Sequence, residues 1–171
     1  MKRLTLVRHA KSSWSDPRLS DHDRELSQRG ERDAPRMGRR LCARKARPSL
    51  ILSSTAVRAL ETARIIALSF GYPRDFPQTE RALYHADPGT LFDVVWSRDD
   101  TCRDMMIVGH NPGLTWFVNE LLTDFALDNL PTTGIVAIAF DVETWQKADA
   151  ASASLDFYDY PKNPAAVPED V

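Results

Sequence analysis

Two arginines and two histidines of this chain follow apolar runs that have the length of short buried strands. Arg8 and His9 come directly after the first run. Arg58 comes shortly after the second run, and His110 comes directly after a later one. Because the carboxyl ends of parallel strands meet at one edge of a sheet, we expect these four side chains to converge. Two guanidinium groups and two imidazoles suit a tetrahedral dianion, since the planar fork of arginine binds two oxygens at once.

Predicted helix starts add to the positive field at this edge. Arg58 lies in the first turn of the helix that follows its strand, and His110 immediately precedes another helix start. Free backbone N–H groups and the helix dipole favour anions at such positions. The residues and the helix starts together predict one anion-binding pocket.

Strand-like apolar runs alternate with amphipathic helical segments along the chain. This alternation is typical of βαβ units, so we predict an α/β fold, namely a three-layer α/β/α sandwich with a mostly parallel central sheet. The helix signals are a cap at Ser27, a start near Thr55 with an end at Gly71, and the pairs Asp87-Pro88 and Asn111-Pro112. The predicted strands cover residues 3–7, 50–52, 78–83, 103–108, 134–140 and 155–158.

The helix predicted after Ser27 has one apolar face and one arginine-rich face. Pro35 falls inside this segment, so the helix either starts later or kinks there. The arginine-rich face is more typical of a solvated surface than of a docking site, although docking of an acidic partner stays open. The apolar face carries Ala34, Met37, Leu41 and Cys42, and the opposite face carries Arg32, Arg36, Arg39, Arg40 and Arg44.

The length of 171 residues suits one domain with a full core. We expect a single domain over residues 1–160 and a loose tail over residues 161–171, which contain three prolines. No apolar run is long enough to cross a membrane and no signal peptide is recognisable, so a cytoplasmic location without a membrane partner is expected. The two cysteines, Cys42 and Cys102, are not spaced like metal ligands, and two thiols are too few for a scaffold held by disulfides.

Basic residues are concentrated in the first part of the chain. Residues 1–64 contain 16 Lys and Arg against 7 Asp and Glu, whereas residues 65–171 contain 6 against 17. A solvated helix explains most of this excess, and the remainder predicts a local field that attracts an anionic substrate. The arginines alternate with acids, so nucleic acid is not an expected partner.

Four sequence blocks resemble signatures of the histidine phosphatase (phosphoglycerate mutase-like) superfamily and occur in that superfamily's order. The first, at residues 8–10, reads Arg-His-Ala where the family has Arg-His-Gly. The others lie at residues 24–30, 53–63 and 108–111. One Arg-His pair would be weak evidence, but four ordered blocks over most of the chain are specific. Within the superfamily, the chain is most similar to the SixA-type phosphohistidine phosphatase branch. This similarity rests on its short length, on the sequence of residues 8–14 and on the run Leu83-Tyr84-His85-Ala86.

This resemblance implies a phosphatase with a covalent phosphohistidine intermediate. His9 would attack phosphorus in line. Arg8 and Arg58, together with His110, would bind the equatorial oxygens and stabilise the transition state. Water would then hydrolyse the phosphoenzyme, with no metal and no other cofactor. The implied substrate is phosphohistidine on a phosphotransfer or signalling protein, such as a histidine-containing phosphotransfer domain.

The sequence lacks an obvious general acid. Related phosphatases usually carry a carboxylate after the third strand, which protonates an alkoxide leaving group. Here Glu80 lies too early on the predicted strand, and Asp87 is expected to cap a helix. The nitrogen of phosphohistidine leaves more easily than an alkoxide, so this absence favours a substrate with a P–N bond.

Three further residues are candidates for substrate binding, namely Lys11, Ser15 and His85. Ser15 stands where the family often has Asn, so a phosphate contact there is weakened or remade. Lys11 is equally compatible with a solvated loop, and His85 with a loop edge.

Two other functions stay open at this point. The first is a phosphomonoesterase that acts on a small phosphorylated metabolite. The second is a phosphoprotein-binding module that keeps the pocket but has lost turnover. The complete set of two arginines and two histidines argues against the second, and the missing acid leaves it open.

Overall fold

The computed structural model describes residues 1–164, which contain a central sheet with helices on both faces. Within these residues the six strands are β1 Lys2–Arg8, β2 Leu50–Ser53, β3 Gln78–Thr79, β4 Asp104–Gly109, β5 Ile135–Phe140 and β6 Ala153–Asp159. The α-helices of the same part of the chain are α1 Gln28–Ala43, α2 Val57–Ser69, α3 Pro88–Trp96 and α4 Gly113–Leu121. Single turns of 3-10 helix lie at Arg81–Leu83 and Trp145–Lys147.

The strands lie in the order β3-β2-β4-β1-β5-β6. β3, β2, β4 and β1 run parallel to one another, and β5 runs antiparallel to both of its neighbours, β1 and β6. The predicted mostly parallel sheet is therefore confirmed. As a consequence, the carboxyl ends of β1, β2 and β4 lie side by side at one edge.

Two apolar cores, one on each face of the sheet, make the predicted α/β/α sandwich. Helices α1 and α2 pack on one face, and α3 and α4 pack on the other. Successive side chains of a strand point to opposite faces. Along β4, Met105 and Ile107 join the core of α3 and α4, whereas Met106 and Val108 join the core of α1 and α2. The strand is therefore buried on both faces, as its continuous apolar run predicts.

Helix α1 starts early and contains Pro35. Ser27 caps it as predicted, because its hydroxyl accepts a hydrogen bond from the backbone N–H of Gly30 (3.2 Å). Of the two alternatives left open by Pro35, the later start is therefore wrong. The helix continues through Pro35 and loses the one backbone hydrogen bond that a proline cannot donate.

Arg40 departs from the predicted solvated face of α1. Its side chain is buried, and its Nη1 lies 3.3 Å from Asp159 Oδ1 and donates to the carbonyl oxygen of Tyr160 (2.9 Å). An ion pair and hydrogen bonds of this kind offset the free-energy cost of burying a charged group. Arg40 thereby ties the end of β6 to α1.

Strand β3 is shorter than predicted. It covers Gln78–Thr79 instead of residues 78–83. The side chain of Glu80 accepts a hydrogen bond from the backbone N–H of Ala82 (3.2 Å), which starts a 3-10 turn in place of further strand.

Of the predicted tail over residues 161–171, residues 161–164 are described and the rest lies outside the described residues. Pro161 is buried, and its carbonyl oxygen accepts a hydrogen bond from Arg40 (3.3 Å). The chain therefore stays attached to the folded body at least up to this residue. Among the helices within residues 1–164, none is both long and apolar enough to span a membrane.

Candidate active site

The carboxyl ends of β1, β2 and β4 border a cavity of about 260 Å³. The predicted residues Arg8, His9, Arg58 and His110 all line it. The two histidines and Arg58 are almost fully buried. The ring centroids of His9 and His110 lie 5.2 Å apart. The structure therefore brings the four predicted side chains together.

The imidazole of His9 is held in one tautomer by the end of its own strand. Its Nδ1 lies 2.7 Å from the carbonyl oxygen of Ala10. A carbonyl oxygen can only accept, so Nδ1 carries the proton and Nε2 keeps its lone pair. Nε2 lies 3.4 Å from Arg58 Nε. Burial, and then the charges of Arg58 and Arg8, lower the pKa of His9 to about 4, so the ring is neutral at neutral pH.

Backbone hydrogen bonds fix the end of β1 against its neighbours. The N–H of His9 donates to the carbonyl oxygen of Gly109 (3.0 Å). The N–H of Ala10 donates to Thr62 Oγ1 (2.9 Å), and Thr62 in turn donates to the carbonyl oxygen of Arg58 (2.7 Å). The position of His9 is thus tied both to β4 and to α2, the helix that carries Arg58.

Arg58 connects the two histidines. It lies in the first turn of α2, where its Nη2 is 3.4 Å from His110 Nδ1 and 3.1 Å from Asp21 Oδ2. Its Nη1 donates to the carbonyl oxygen of Asp21 (2.6 Å). Contacts with Asp21 on one side and with the two imidazole rings on the other therefore hold the planar guanidinium at the wall of the cavity.

His110 depends on Ser54 for its tautomer. Its Nε2 lies 2.7 Å from Ser54 Oγ, which also accepts a hydrogen bond from the backbone N–H of Ala56 (3.2 Å). Nη2 of Arg58 can only donate, so its contact with Nδ1 corresponds to a ring protonated on Nε2; when Ser54 donates to Nε2 instead, Nδ1 carries the proton on the side of the cavity. Burial, and then the neighbouring His9 and Arg58, lower the pKa of His110 to about 2. A neutral ring with Nδ1–H can donate to an oxyanion.

Arg8 brings a second guanidinium to the cavity. Its Nη1 donates to the carbonyl oxygen of Leu130 (2.9 Å), and its carbonyl oxygen accepts from the backbone N–H of Thr133 (3.1 Å). Burial, and then the charge of Arg58, lower the pKa of Arg8 below its usual value. Two cations in one partly buried cavity repel each other, so the cavity favours an anion that offsets this repulsion.

The loop after β1 forms one wall of the cavity. Lys11 and Trp14 line this wall, and the guanidinium of Arg24 stacks on the exposed indole of Trp14 at 3.5 Å from the ring centroid. The loop packs closely on the start of α1. A Cβ at Gly30 would collide with the carbonyl oxygen of Lys11, so glycine is required at this approach.

Of the three further residues predicted to bind substrate, two line the cavity and one lies beside it. Lys11 and His85 line the cavity. Ser15 lies instead in a shallow depression beside it, and its hydroxyl is 2.8 Å from Ser13 Oγ. The structure therefore does not bring residue 15 into the lining of the cavity.

A polar cluster that the sequence did not reveal forms another part of the wall. Asp21 Oδ2 lies 2.5 Å from the Tyr84 hydroxyl, 3.1 Å from Arg58 Nη2 and 3.3 Å from His85 Nε2. The hydrogen bond from Tyr84, and then the charge of Arg58, hold the pKa of Asp21 well below its usual range. Asp21 is one of several acids in a polar loop, so nothing in its spacing predicts a place at the cavity. Of this cluster, the sequence pointed only to the Tyr84-His85 pair.

The two carboxylates around β3 serve as caps. Glu80 accepts from the N–H of Ala82, and Asp87 accepts from the backbone N–H of Thr90 (2.8 Å) at the start of α3. Both roles agree with the expectation that neither carboxylate fits a general acid. Within residues 1–164, no cluster of three or more His, Cys, Asp or Glu side chains is arranged to hold a metal ion.

A cavity lined by two arginines and two histidines at the carboxyl edge of this sheet suits the anionic group of a phosphorylated substrate. The chain belongs to the histidine phosphatase superfamily (branch 1), whose sequence model matches residues 4–88. It is 34% identical over 170 residues to an uncharacterized protein of Mycobacterium leprae, which covers 91% of this chain and 100% of that relative.

Solved structures show the same architecture. The SixA protein of Agrobacterium tumefaciens, assigned as a phosphohistidine phosphatase, matches with a TM-score of 0.77 and 26% identity, over 94% of this chain and 98% of that chain. The protein histidine phosphatase SixA in complex with tungstate also matches with a TM-score of 0.77, at 17% identity over 93% and 97%. The fold is therefore the SixA-type, phosphoglycerate mutase-like α/β fold, and the family supports phosphatase activity on a phosphorylated substrate.

Proposed function

We propose that this protein hydrolyses phosphohistidine on a phosphorylated protein, through a covalent phosphohistidine on its own His9. The observation that carries the proposal is the state of that ring. It is buried and neutral, its proton is held on Nδ1 by Ala10, and the lone pair of Nε2 lies next to Arg58. Such a ring can attack phosphorus without losing a proton first. Membership of the superfamily and similarity to SixA-type structures support the same reaction.

In the first step, His9 Nε2 forms a bond to phosphorus while the P–N bond of the substrate breaks on the opposite side. The bonding pair leaves with the substrate nitrogen. The Nδ1–H of His9 keeps its hydrogen bond to the Ala10 carbonyl oxygen, which stabilises the positive charge that the phosphorylated ring acquires.

The charge of the transferred group lies on its three equatorial oxygens. Arg8 and Arg58 supply guanidinium donors, and His110 supplies a neutral Nδ1–H in the tautomer in which Ser54 donates to its Nε2. Because packing and hydrogen bonds already fix the two guanidinium groups, they need little reorganisation at the moment of reaction. In the second step, water attacks phosphorus, the P–Nε2 bond breaks with its electron pair returning to nitrogen, and one proton of the water is released. The positive charge comes from the two arginines, so no proposed step requires a metal.

Two features support a protein-bound P–N substrate. Glu80 and Asp87 are occupied as caps and Asp21 stays ionised, so none of them offers the proton that an alkoxide needs. An imidazole that is protonated on its other nitrogen leaves without this help. The cavity of about 260 Å³ is also smaller than the roughly 300–1,000 Å³ of typical small-molecule sites, which suits a side chain presented by a protein.

Trapping of the phosphoenzyme tests the nucleophile. After a rapid quench of the reaction with a radiolabelled phosphohistidine peptide, we expect label on the wild-type protein that is labile to acid and stable to base. His9→Ala should carry no label, whereas His22→Gln, which changes a histidine outside the cavity lining, should be labelled like the wild type. Label on His9→Ala would show that another residue attacks phosphorus.

A pair of peptides with one sequence tests the substrate class. The phosphohistidine peptide should exceed the phosphoserine peptide in kcat/KM by about a hundredfold or more, because a missing general acid costs about 10²–10⁴ in rate. Similar values for both peptides would contradict the P–N preference. Tight binding of the phosphohistidine peptide with neither label nor phosphate release would identify a binding module.

A further inference from the structure

Two shallow depressions continue the cavity along the start of α1. The first shares Lys11 with the cavity and reaches Arg29 and Arg32. The second shares Arg29 and Arg32 with the first and extends to Arg36 and Lys162. Because each hollow shares lining residues with the next, they form one continuous surface, which we call the basic groove.

The basic groove has a marked excess of positive charge. The five cationic side chains that define it are all exposed. Two carboxylates also line the two depressions. Asp33 is buried and lies 3.4 Å from Arg29 Nε, so Glu31 is the exposed carboxylate among these lining residues. The groove therefore combines four cations from residues 1–64 with Lys162 against a single exposed carboxylate.

The helix places these cations in a row. Arg29, Arg32 and Arg36 are separated by three and four residues, so they share one face of α1 and span about 10 Å along its axis. Arg40 is next in this series, but it is buried against Asp159 and ends the row. The row leads outward from the cavity in which the phosphoryl group would be bound.

We propose that the basic groove docks an acidic surface of the phosphoprotein substrate while its phosphorylated side chain enters the cavity. The identity of that side chain rests on the proposed function, whereas docking itself requires no turnover. A small metabolite bound in the cavity would not extend along the groove to Lys162. Single surface ion pairs contribute little, but several cations in a row act together and steer an acidic partner.

A double charge reversal tests the groove outside the cavity. Arg32→Glu/Lys162→Glu removes two exposed cations that do not line the cavity. The matched control, Arg103→Glu/Lys147→Glu, makes the same change in net charge at two exposed cations elsewhere, one directly before β4 and one in the second 3-10 turn. Thermal unfolding establishes that both variants are folded.

Two phosphohistidine peptides of equal length serve as probes, one with Asp and Glu around the phosphorylated residue and one with the corresponding amides. The groove variant should lower kcat/KM for the acidic peptide by about tenfold or more and for the neutral peptide by less than about twofold. The control should change either value by less than about twofold. Raising salt from about 50 to 300 mM should reproduce the loss in the wild type. Equal losses for both peptides, or no loss for the acidic one, would overturn docking.

Binding separates this proposal from the phosphatase reaction. The fluorescence anisotropy of the labelled acidic peptide without its phosphoryl group reports docking alone. We expect weaker binding to the groove variant than to the wild type and to the control. Equal binding to all three proteins would overturn the docking proposal even if His9 is phosphorylated. Conversely, a clear difference without any phosphoenzyme would support docking while the proposed reaction fails.

Discussion

His9 and His110 both carry an imidazole, but their different hydrogen-bond partners give the two rings different chemical roles. Nδ1 of His9 faces a backbone carbonyl oxygen, which can only accept, so its tautomer is fixed. Nε2 of His110 faces the hydroxyl of Ser54, which can donate or accept. The first ring therefore presents a lone pair, whereas the second can adopt the tautomer that donates to an anion.

Asp21 competes with a phosphoryl group for Arg58. Its Oδ2 lies 3.1 Å from Arg58 Nη2. Asp21→Asn keeps the shape of the side chain but removes its charge, which repels an anion in the same cavity. The variant should therefore bind inorganic phosphate about fivefold more tightly, because one charge about 4 Å away is worth about 1 kcal/mol in a hydrated site. Calorimetric titration with inorganic phosphate measures the change.

The low pKa of Asp21 adds a condition to this prediction. The carboxylate stays ionised, so protonation of Asp21 itself should add no pH dependence to the ratio of the two phosphate affinities between about pH 5 and 8. Asp16→Asn changes an acid of the same loop that pairs with Arg18, and it should leave phosphate binding unchanged. Weaker binding to Asp21→Asn would show instead that Asp21 mainly holds Arg58 in position.

The start of α4 positions the loop that carries Tyr84 and His85. A Cβ at Gly113 would collide with the carbonyl oxygen of Ala86, so Gly113→Ala must displace this loop. We expect a loss of about 1–3 kcal/mol in the free energy of unfolding, as for other overpacked positions. We also expect a lower kcat/KM, because the displaced loop carries part of the cavity wall. Urea unfolding and steady-state kinetics measure the two effects.

Gly89 provides the matched comparison for Gly113. It lies in the first turn of α3, and an added Cβ would meet Asp87 Oδ1 at an ordinary 3.6 Å. Gly89→Ala should therefore leave activity unchanged and keep or slightly raise stability, since alanine is the better helix former. Equal stability of the two alanine variants would show that the loop at Ala86 yields without cost.

Sequence patterns predicted the strands and helices whose ends are determined by residues close to them in the sequence. The apolar runs of β1 and β4 end at His9 and His110, so the strand ends and the four converging side chains could be predicted. Tyr84 and Asp21 are 63 positions apart, and Arg40 and Asp159 are 119 positions apart. No periodicity encodes such contacts, because they arise only when loops or sheet edges come together in the folded chain.

At the scale of the whole molecule, the site makes stability depend on pH. In the unfolded chain both histidines titrate near pH 6.5, whereas in the folded chain their pKa values fall to about 4 for His9 and about 2 for His110. The unfolded chain therefore takes up protons first as the pH falls. Stability is fully present above about pH 6.5 and is lost progressively as the pH falls below it.

The free energy of unfolding should accordingly decrease by a few kcal/mol between about pH 7 and 4, since each histidine contributes about 1.4 kcal/mol per pH unit. Urea unfolding at several pH values measures this slope. The interval between about pH 6.5 and 5 isolates the histidines, because carboxyl groups of the unfolded chain titrate near pH 4. The double variant His9→Asn/His110→Asn should flatten the slope in that interval, whatever the absolute stability of the variant. An unchanged slope in the double variant would mean that the two rings are not held neutral by burial.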